Sequence, residues 1–416
     1  MRALTAVFCV VGVGLPHAAA SDPPEKPATA LTTAQAQAVI REVSATVEQL
    51  RRLKFKSPVA VEVVDAATAR KDFESELDEE ARTSAGHTRD AWVQLGLVPR
   101  GTDLVAAHAD RAEKDVLGYY HSGSKTFRVL DHVSEAEMRT VMAHELTHAL
   151  EDQHYDLGAL QKRASNEDHA VALRAVVEGS AMVTTLAMTI RQGGIGKAQE
   201  EAARTGQRRA KTVQSAPAFD RMRLLLPYTL GFSFLLRGKP WEYLASGVRI
   251  EDIEQAYAQP PDSTREILHP ERYWGGHREA VRRLSLPDLA KVLGPGWSLK
   301  ASGCVGELGL TLLTGSTLKT DSFEALLPTR WITAAASGNA GELYHHYVNG
   351  ERKVTLLLTR WDSFLAADEF QRSLKGADKT VYRLGANIVV LVGDFGDKGQ
   401  PLAVEAFQRL PYWAGS

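Results

Sequence analysis

Residues 144–157 read HELTHALEDQHYDL, and the five residues from His144 to His148 decide how this chain is interpreted. Residues four apart in an α-helix lie one turn apart on the same face, so both imidazoles can reach one metal ion. Glu145 would face a water molecule on that ion and could take its proton. Zinc lowers the pKa of a bound water to about 7, so a carboxylate base is strong enough. The motif predicts a zinc site with His144 and His148 as ligands and Glu145 as general base.

The neighbouring sequence predicts a hairpin followed by the motif helix. Tyr119–His121 and Lys125–Leu130 read as two strands joined by a Gly-containing turn. Ser134 and Glu137 form a capping-box pattern that marks the start of the helix. We expect Lys125–Leu130 to be an edge strand, which could align an extended peptide by adding it to the sheet.

Two residues are candidates for the third metal ligand. His154 lies ten residues after His144, but Glu151 stands where that spacing pattern has a glycine that turns the chain back toward the metal. Glu178 is an isolated carboxylate in a long, mostly apolar helical stretch from Glu167 to about Arg191. A buried, unpaired charge is costly unless it meets a cation, and a metal would supply one. We therefore favour Glu178 and keep His154 as the alternative.

These segments also carry a family resemblance. A His-Glu-x-x-His helix followed about thirty residues later by a helical Glu-Gly pair resembles the gluzincin superfamily of zinc peptidases. Three segments are more closely similar to a group of exported bacterial HExxH proteins: HELTHALEDQHYDL (144–157), AVVEGSA (175–181) and PPDSTREILHPERY (260–273). The likeness covers roughly residues 59–273. It implies a zincin-like fold, Glu178 as third ligand, and a peptide or protein substrate.

The resemblance also implies a residue that stabilises the oxyanion, and at one position the sequence differs from the family pattern. Gluzincins usually have a downstream Tyr or His that hydrogen-bonds the developing negative charge, and Tyr228 and His269 fit by position. The competing interpretations are core packing for Tyr228 and a structural role at a helix end for His269. Met182 stands four residues after Glu178, where thermolysin-like members have Asp. The second partner of the ligand histidines is therefore not identified from the sequence.

Length predicts the number of domains, composition disfavours one class of partner, and the helix and strand patterns together with the resemblance imply the fold class. A chain of 416 residues exceeds the size of one growing core, which predicts more than one domain. We expect an α+β protein in which a mainly helical zincin-like domain with a small sheet spans 33–285. A small C-terminal α+β domain would follow at 286–416. The 49 Lys and Arg nearly balance the 51 Asp and Glu, which disfavours nucleic-acid binding.

The C-terminal region has one strong hairpin signal and no assignable functional motif. Asn349-Gly350 separates two strand-like segments. The adjacent residues His345 and His346 would point to opposite faces of a strand, so we expect surface residues rather than a metal site. Three aromatic residues are expected to build the core of this region, namely Trp331, Tyr344 and Trp361.

The amino terminus predicts export. Arg2, the apolar run from Leu4 to Leu15 and the alanines ending at Ala20 form a cleavable signal peptide at 1–20, with a flexible lead-in at 21–32. We therefore expect a secreted or periplasmic protein. No later stretch reaches the roughly 18 uninterrupted apolar residues of a membrane helix, so no stable membrane span is expected after cleavage. Nothing in the sequence indicates an oligomeric state.

Three functions are compatible with these observations. The first is zinc-dependent hydrolysis of peptide bonds outside the cytoplasm, that is, a zinc metallopeptidase. The second keeps the zinc but changes the bond, making the protein an amidase for cell-wall or other non-peptide amides. The third is a non-catalytic envelope binding or assembly protein with a structural zinc site. Glu145 beside two histidines favours an open, reactive metal position.

Overall fold

The computed structural model describes residues 32–75, 79–106, 109–110, 116–121, 124–133, 135–212, 216–239, 242, 249–278, 283–315 and 328–410. The predicted signal peptide, the lead-in up to residue 31 and the predicted N-cap Ser134 lie outside these residues.

The amino-terminal region is mainly helical and contains a three-stranded sheet. Its elements are α1 (Thr33–Arg51), β1 (Ala60–Val64), α2 (Ala66–Ser75), α3 (Glu79–Leu95), β2 (Gly118–His121), β3 (Thr126–Leu130), α4 (Glu135–Tyr155) and α5 (Leu157–Lys162). The sheet has the order β1-β3-β2, with β1 parallel and β2 antiparallel to β3. The predicted hairpin and motif helix are confirmed.

The prediction that Lys125–Leu130 forms an edge strand is wrong. Strand β3 lies in the centre of the sheet, because β1 pairs along the side that the hairpin leaves open. A hairpin signal in the sequence identifies β2 as one neighbour of β3. The other neighbour, β1, is distant in the sequence and has no such signal. Strands β1 and β2 are the edges.

A helical middle region follows. Its elements are α6 (Glu167–Thr212), α7 (Ala218–Leu235), α8 (Ile250–Ala258), α9 (Thr264–Leu268), α10 (Pro270–Trp274) and α11 (Ala290–Leu293). Helix α6 is interrupted at Gly194, whose φ of 77° and ψ of 177° are not helical. Its stretch Glu167–Lys197 is long and apolar enough to cross a membrane, but 78% of the apolar window is buried inside the protein. The predicted buried helix is therefore confirmed as a core element.

Helices α6 and α7 cross at two glycines. A Cβ atom on Gly179 would lie 2.4 Å from the carbonyl carbon of Gly231, and one on Gly231 would lie 2.2 Å from the carbonyl oxygen of Ala175. Real Cβ atoms do not approach other atoms this closely, so only glycine allows the two backbones to touch. Gly179 follows Glu178 directly, so this crossing sets the position of the candidate ligand.

The C-terminal region contains a second sheet. Its elements are β4 (Ser298–Gly303), α12 (Gly306–Leu313), α13 (Ala334–Ser337), β5 (Asn339–Asn349), β6 (Arg352–Trp361), α14 (Phe364–Ser373), β7 (Thr380–Leu384), β8 (Asn387–Gly393) and α15 (Gly399–Gln408). The five strands have the order β4-β5-β6-β8-β7 and are antiparallel to their neighbours. The hairpin at Asn349-Gly350 is confirmed, with Gly350 at φ 58° as its tight turn requires.

The mixed α+β class is confirmed, and one core extends across the predicted domain boundary at residue 285. The largest hydrophobic cluster contains Trp92 from α3 together with Leu357 from β6 and Val390 from β8. Helix α3 packs on the C-terminal sheet, although it belongs to the amino-terminal part of the chain. The two regions are thus joined by shared apolar packing, while the boundary itself remains a prediction.

The prediction that His345 and His346 are surface residues is wrong. They are 3% and 0% exposed on β5, a strand with neighbours on both sides. His345 Nδ1 lies 2.9 Å from the hydroxyl of Tyr347, and His346 Nδ1 lies 2.8 Å from the Thr355 hydroxyl. Burial lowers the pKa of each to about 4, so both are neutral at physiological pH. The three aromatic residues expected in this core, Trp331, Tyr344 and Trp361, are buried as predicted.

Candidate metal centre

The motif helix α4 is buried between other elements, which places its polar motif inside the protein. It packs against α1, α6 and β2. His144, Glu145 and His148 are only 1%, 1% and 5% exposed. Burying three ionisable side chains together is costly unless they bind each other or a cation. The packing therefore isolates a group with metal-binding chemistry from bulk solvent.

The two histidines and Glu145 form a compact trio. Each offers a ligand atom, and these atoms all lie within 4.8 Å of one another. The imidazole rings of His144 and His148 meet edge to face with centroids 4.7 Å apart. One helical turn between them produces this proximity, as the spacing predicted. This buried trio could hold a metal ion.

Helix α6 brings Glu178 to the same point. Its Oε2 lies 3.1 Å from His144 Nε2 and 3.5 Å from His148 Nε2, and the residue is fully buried. Ligand atoms bound tetrahedrally at 2.0–2.2 Å from zinc would be about 3.3–3.6 Å apart. The observed separations lie close to this range. The residues present thus fit a metal held by two imidazoles and one carboxylate.

Glu178 and His148 form a buried ion pair in the metal-free protein. Burial on its own would raise the pKa of Glu178, but His148 and His144 outweigh it and lower that pKa to about 2. Burial likewise opposes a charge on His148, but Glu178 and Glu145 raise the pKa of this imidazole to about 9. At neutral pH Glu178 is therefore ionised and His148 is protonated in the metal-free protein, so a bound metal would take the place of the His148 proton.

Strand β2 contacts the candidate base directly. The backbone N–H of Tyr120 donates a hydrogen bond of 2.9 Å to Glu145 Oε2. Glu178, in contrast, directs its carboxylate at both imidazoles. The two glutamates thus occupy different positions, one beside the ligand atoms and one between them.

A buried polar cluster supports the two helices that carry these residues. Glu151 on α4 is fully buried and accepts hydrogen bonds from Arg51 Nε at 3.1 Å, from Tyr257 at 2.6 Å and from Ser180. Ser180 lies two residues after Glu178, so this cluster joins α4 to α6 near the ligands. The sequence argument used Glu151 only as a missing glycine and did not identify this role. The sequence signal for this role was a charged residue, Glu151, on a helix whose other positions are expected to be buried.

The remaining predicted site residues have different positions. Tyr228 on α7 is half-buried, and its ring lies 6.2 Å from that of His144, nearly parallel to it. His269 instead lies against the C-terminal region, where its Nε2 donates to Glu307 of α12 at 2.9 Å. His154 Nε2 donates to the carbonyl oxygen of Lys54 at 2.8 Å. Of these three described residues, Tyr228 is the one whose ring lies beside the trio.

The second ring nitrogen of one motif histidine bears on the departure at Met182. Within the described part of the chain, Nδ1 of His148 has no hydrogen-bond partner. Metal-bound histidines almost always donate their second ring nitrogen to a carboxylate, a carbonyl or water. Met182 is partly buried against the core and supplies no such acceptor.

No family model, curated protein or solved structure matches this chain. The resemblance to gluzincins therefore remains a prediction from the motifs.

Proposed function

We propose that this protein is a zinc metallopeptidase that hydrolyses peptide bonds outside the cytoplasm. The observation that carries the proposal is the carboxylate of Glu178, which approaches Nε2 of both motif histidines while Glu145 lies beside them. Two histidines and one glutamate are the ligand set of a catalytic zinc site, which keeps a fourth position for water. The exported location rests on the sequence of residues 1–20.

In this proposal His144, His148 and Glu178 hold the metal. A bound zinc ion supplies Lewis-acid activation of a water molecule and of the substrate carbonyl. Glu145 takes the proton from the attacking water and returns it to the leaving amine. Tyr228, whose ring lies beside His144, is the candidate hydrogen-bond donor to the oxyanion. His269 contacts Glu307 instead, and for this residue we favour the structural alternative.

Replacement of Glu145 by Gln tests the proposal. The shape of the side chain is retained, but the base is lost, so hydrolysis should fall about 10²- to 10⁴-fold. Zinc content should remain at the wild-type level. Hydrolysis of a peptide library and metal content by mass spectrometry would be measured together. Glu254→Gln, an exposed position on α8, is the matched control and should behave as wild type.

The same experiment separates the alternatives. Purified cell-wall material would be assayed beside the peptides, and activity on that material alone would make the protein an amidase. A wild-type protein that binds zinc and hydrolyses neither substrate would favour the structural zinc site.

A further inference from the structure

Tyr120 makes two hydrogen bonds to the motif helix from one residue of β2. Its backbone N–H donates to Glu145 Oε2 at 2.9 Å, and its phenol hydroxyl donates to Asp152 Oδ2 at 3.0 Å. Glu145 and Asp152 are seven residues apart, which is about two helical turns on one face of α4. The two bonds therefore hold β2 along the helix at two points.

The N–H of Tyr120 is available because β2 is an edge strand. Tyr120 pairs with Phe127 of β3 in an antiparallel ladder. Leu130 N donates to Leu117 O, so Leu117 belongs to a hydrogen-bonded pair of this ladder. Tyr120 lies three residues further along the chain, an odd number, and therefore belongs to a pair of the other kind. Hydrogen-bonded and non-hydrogen-bonded pairs alternate in such a ladder, so the N–H of Tyr120 faces the open edge. The motif helix lies at that edge.

Asp152, which accepts the hydrogen bond from the Tyr120 hydroxyl, is itself held in place. Asp152 is buried, and its Oδ1 accepts a hydrogen bond of 3.0 Å from the backbone N–H of Leu157. Lys125 Nζ lies 3.7 Å from Oδ2 of the same carboxylate. Burial and the neighbouring carboxylate raise the pKa of Tyr120, so its hydroxyl remains a donor at neutral pH.

We propose that Tyr120 is a positioning residue for the catalytic base. Its phenol, bound to Asp152, fixes β2 along α4, and the backbone N–H then fixes the orientation of the Glu145 carboxylate. A base must be held close to its productive geometry, and small displacements reduce turnover strongly. This inference rests on the proposed hydrolytic function.

The adjacent residue provides a matched comparison. Tyr119 is also buried on β2 and also donates its hydroxyl to a carboxylate, but the acceptor is Asp72 of α2. Tyr120→Phe and Tyr119→Phe therefore each remove one buried hydroxyl and one bond to an aspartate. We expect kcat to fall about tenfold or more in Tyr120→Phe, with KM and zinc content within about twofold of wild type. Tyr119→Phe should retain the wild-type kcat. Equal kcat values in the two variants would overturn the proposal.

Amide hydrogen exchange provides a readout that does not depend on activity. In the metal-free protein, the Tyr120 amide should be protected despite its edge position, because Glu145 accepts its hydrogen bond. Protection should persist in Tyr119→Phe and decrease in Tyr120→Phe and Glu145→Ala. Unchanged protection of this amide in Tyr120→Phe would overturn the anchoring role.

The two readouts distinguish failure of this inference from failure of the proposed function. If the wild-type protein hydrolyses no amide substrate, the hydrolytic function fails, and the catalytic role of Tyr120 fails with it. The exchange data would then still show whether the phenol holds β2 against Glu145. If the wild type is active and only the anchoring is absent, kcat in Tyr120→Phe will equal that in Tyr119→Phe.

Discussion

Glu178 is the residue that distinguishes the two candidate ligand sets. It is fully buried between His144 and His148, whereas His154 bonds to the carbonyl oxygen of Lys54. A buried, ionised glutamate requires a cationic neighbour; protonated His148 supplies it in the metal-free protein, and a bound metal would replace that proton. The contacts favour Glu178 as the third ligand, as the sequence argument did.

Replacing Glu178 should therefore weaken metal binding. Glu178→Gln retains the volume of the side chain but removes its charge, and we expect zinc affinity to fall by more than about 100-fold, beyond the effect typical of outer-shell changes. His154→Ala should leave affinity within about threefold of wild type. Competition with a chromophoric chelator measures both. Stronger weakening in His154→Ala than in Glu178→Gln would contradict this assignment.

At the scale of elements, the close crossing of α6 and α7 fixes the backbone of α6 beside Glu178. Gly179 and Gly231 allow the backbones to touch, and a Cβ on either would overlap the partner helix. The sequence analysis registered the glycine only as an interruption of the apolar stretch. The crossing shows its role, because Gly179 lets the backbone of α7 touch that of α6 directly after Glu178.

Gly231→Ala should destabilise the protein by about 1–3 kcal/mol, since the added methyl forces the two helices apart. Gly86 in α3 is the control, because a Cβ there would meet nothing within 4 Å. Gly86→Ala should instead stabilise by about 0.5–1 kcal/mol, since alanine loses less backbone entropy in a helix. Urea denaturation measures both. Equal stability of the two variants would show that the helices can separate at little cost.

At the scale of the whole molecule, a buried carboxylate of the helical region and one of the C-terminal sheet line the same cavity. Asp168 at the start of α6 accepts hydrogen bonds from the N–H and the hydroxyl of Thr264. Glu342 on β5 accepts from the N–H of Val305 and Gly306 at the start of α12. Both carboxylates line a cavity of about 290 Å³, and no residue of the proposed metal centre lines it.

Glu342 should make stability depend on pH. Burial, assisted by Asp168, raises its pKa from 4.5 to about 8. Between these values the folded state holds a proton that the unfolded state has lost, so stability falls as pH rises through this window. From pH 6.5 to 8 the slope should reach up to about 1.4 kcal/mol per pH unit for one proton. Histidines with lowered pKa act in the opposite direction near pH 6.5, because there they are partly protonated in the unfolded state only, but this contribution is the same in wild type and in Glu342→Gln.

Glu342→Gln resembles the protonated side chain and retains an acceptor for the backbone N–H groups. Its stability should therefore vary less between pH 6.5 and 8 than that of wild type. Denaturation at several pH values measures the difference in slope. Parallel pH profiles for the two proteins would show that Glu342 is already ionised in the folded state at pH 6.5.

The sequence by itself determined the features that depend on local spacing. The motif helix, the two hairpins, the buried helix with Glu178 and the α+β class follow from periodicity, turn residues and the cost of burying a charge. The same local rules placed His144 and His148 on one helical face. These features require no knowledge of how distant segments pack.

Only the tertiary structure decided which segments approach one another. The pairing of β1 with β3, the burial of His345 and His346 and the contact of Tyr120 with Glu145 join residues whose relation has no local signature. Periodicity describes one element at a time, whereas packing depends on the shapes of all elements together. For this reason the sequence could propose ligands for a metal, while the contact between β2 and Glu145 emerged only from the fold.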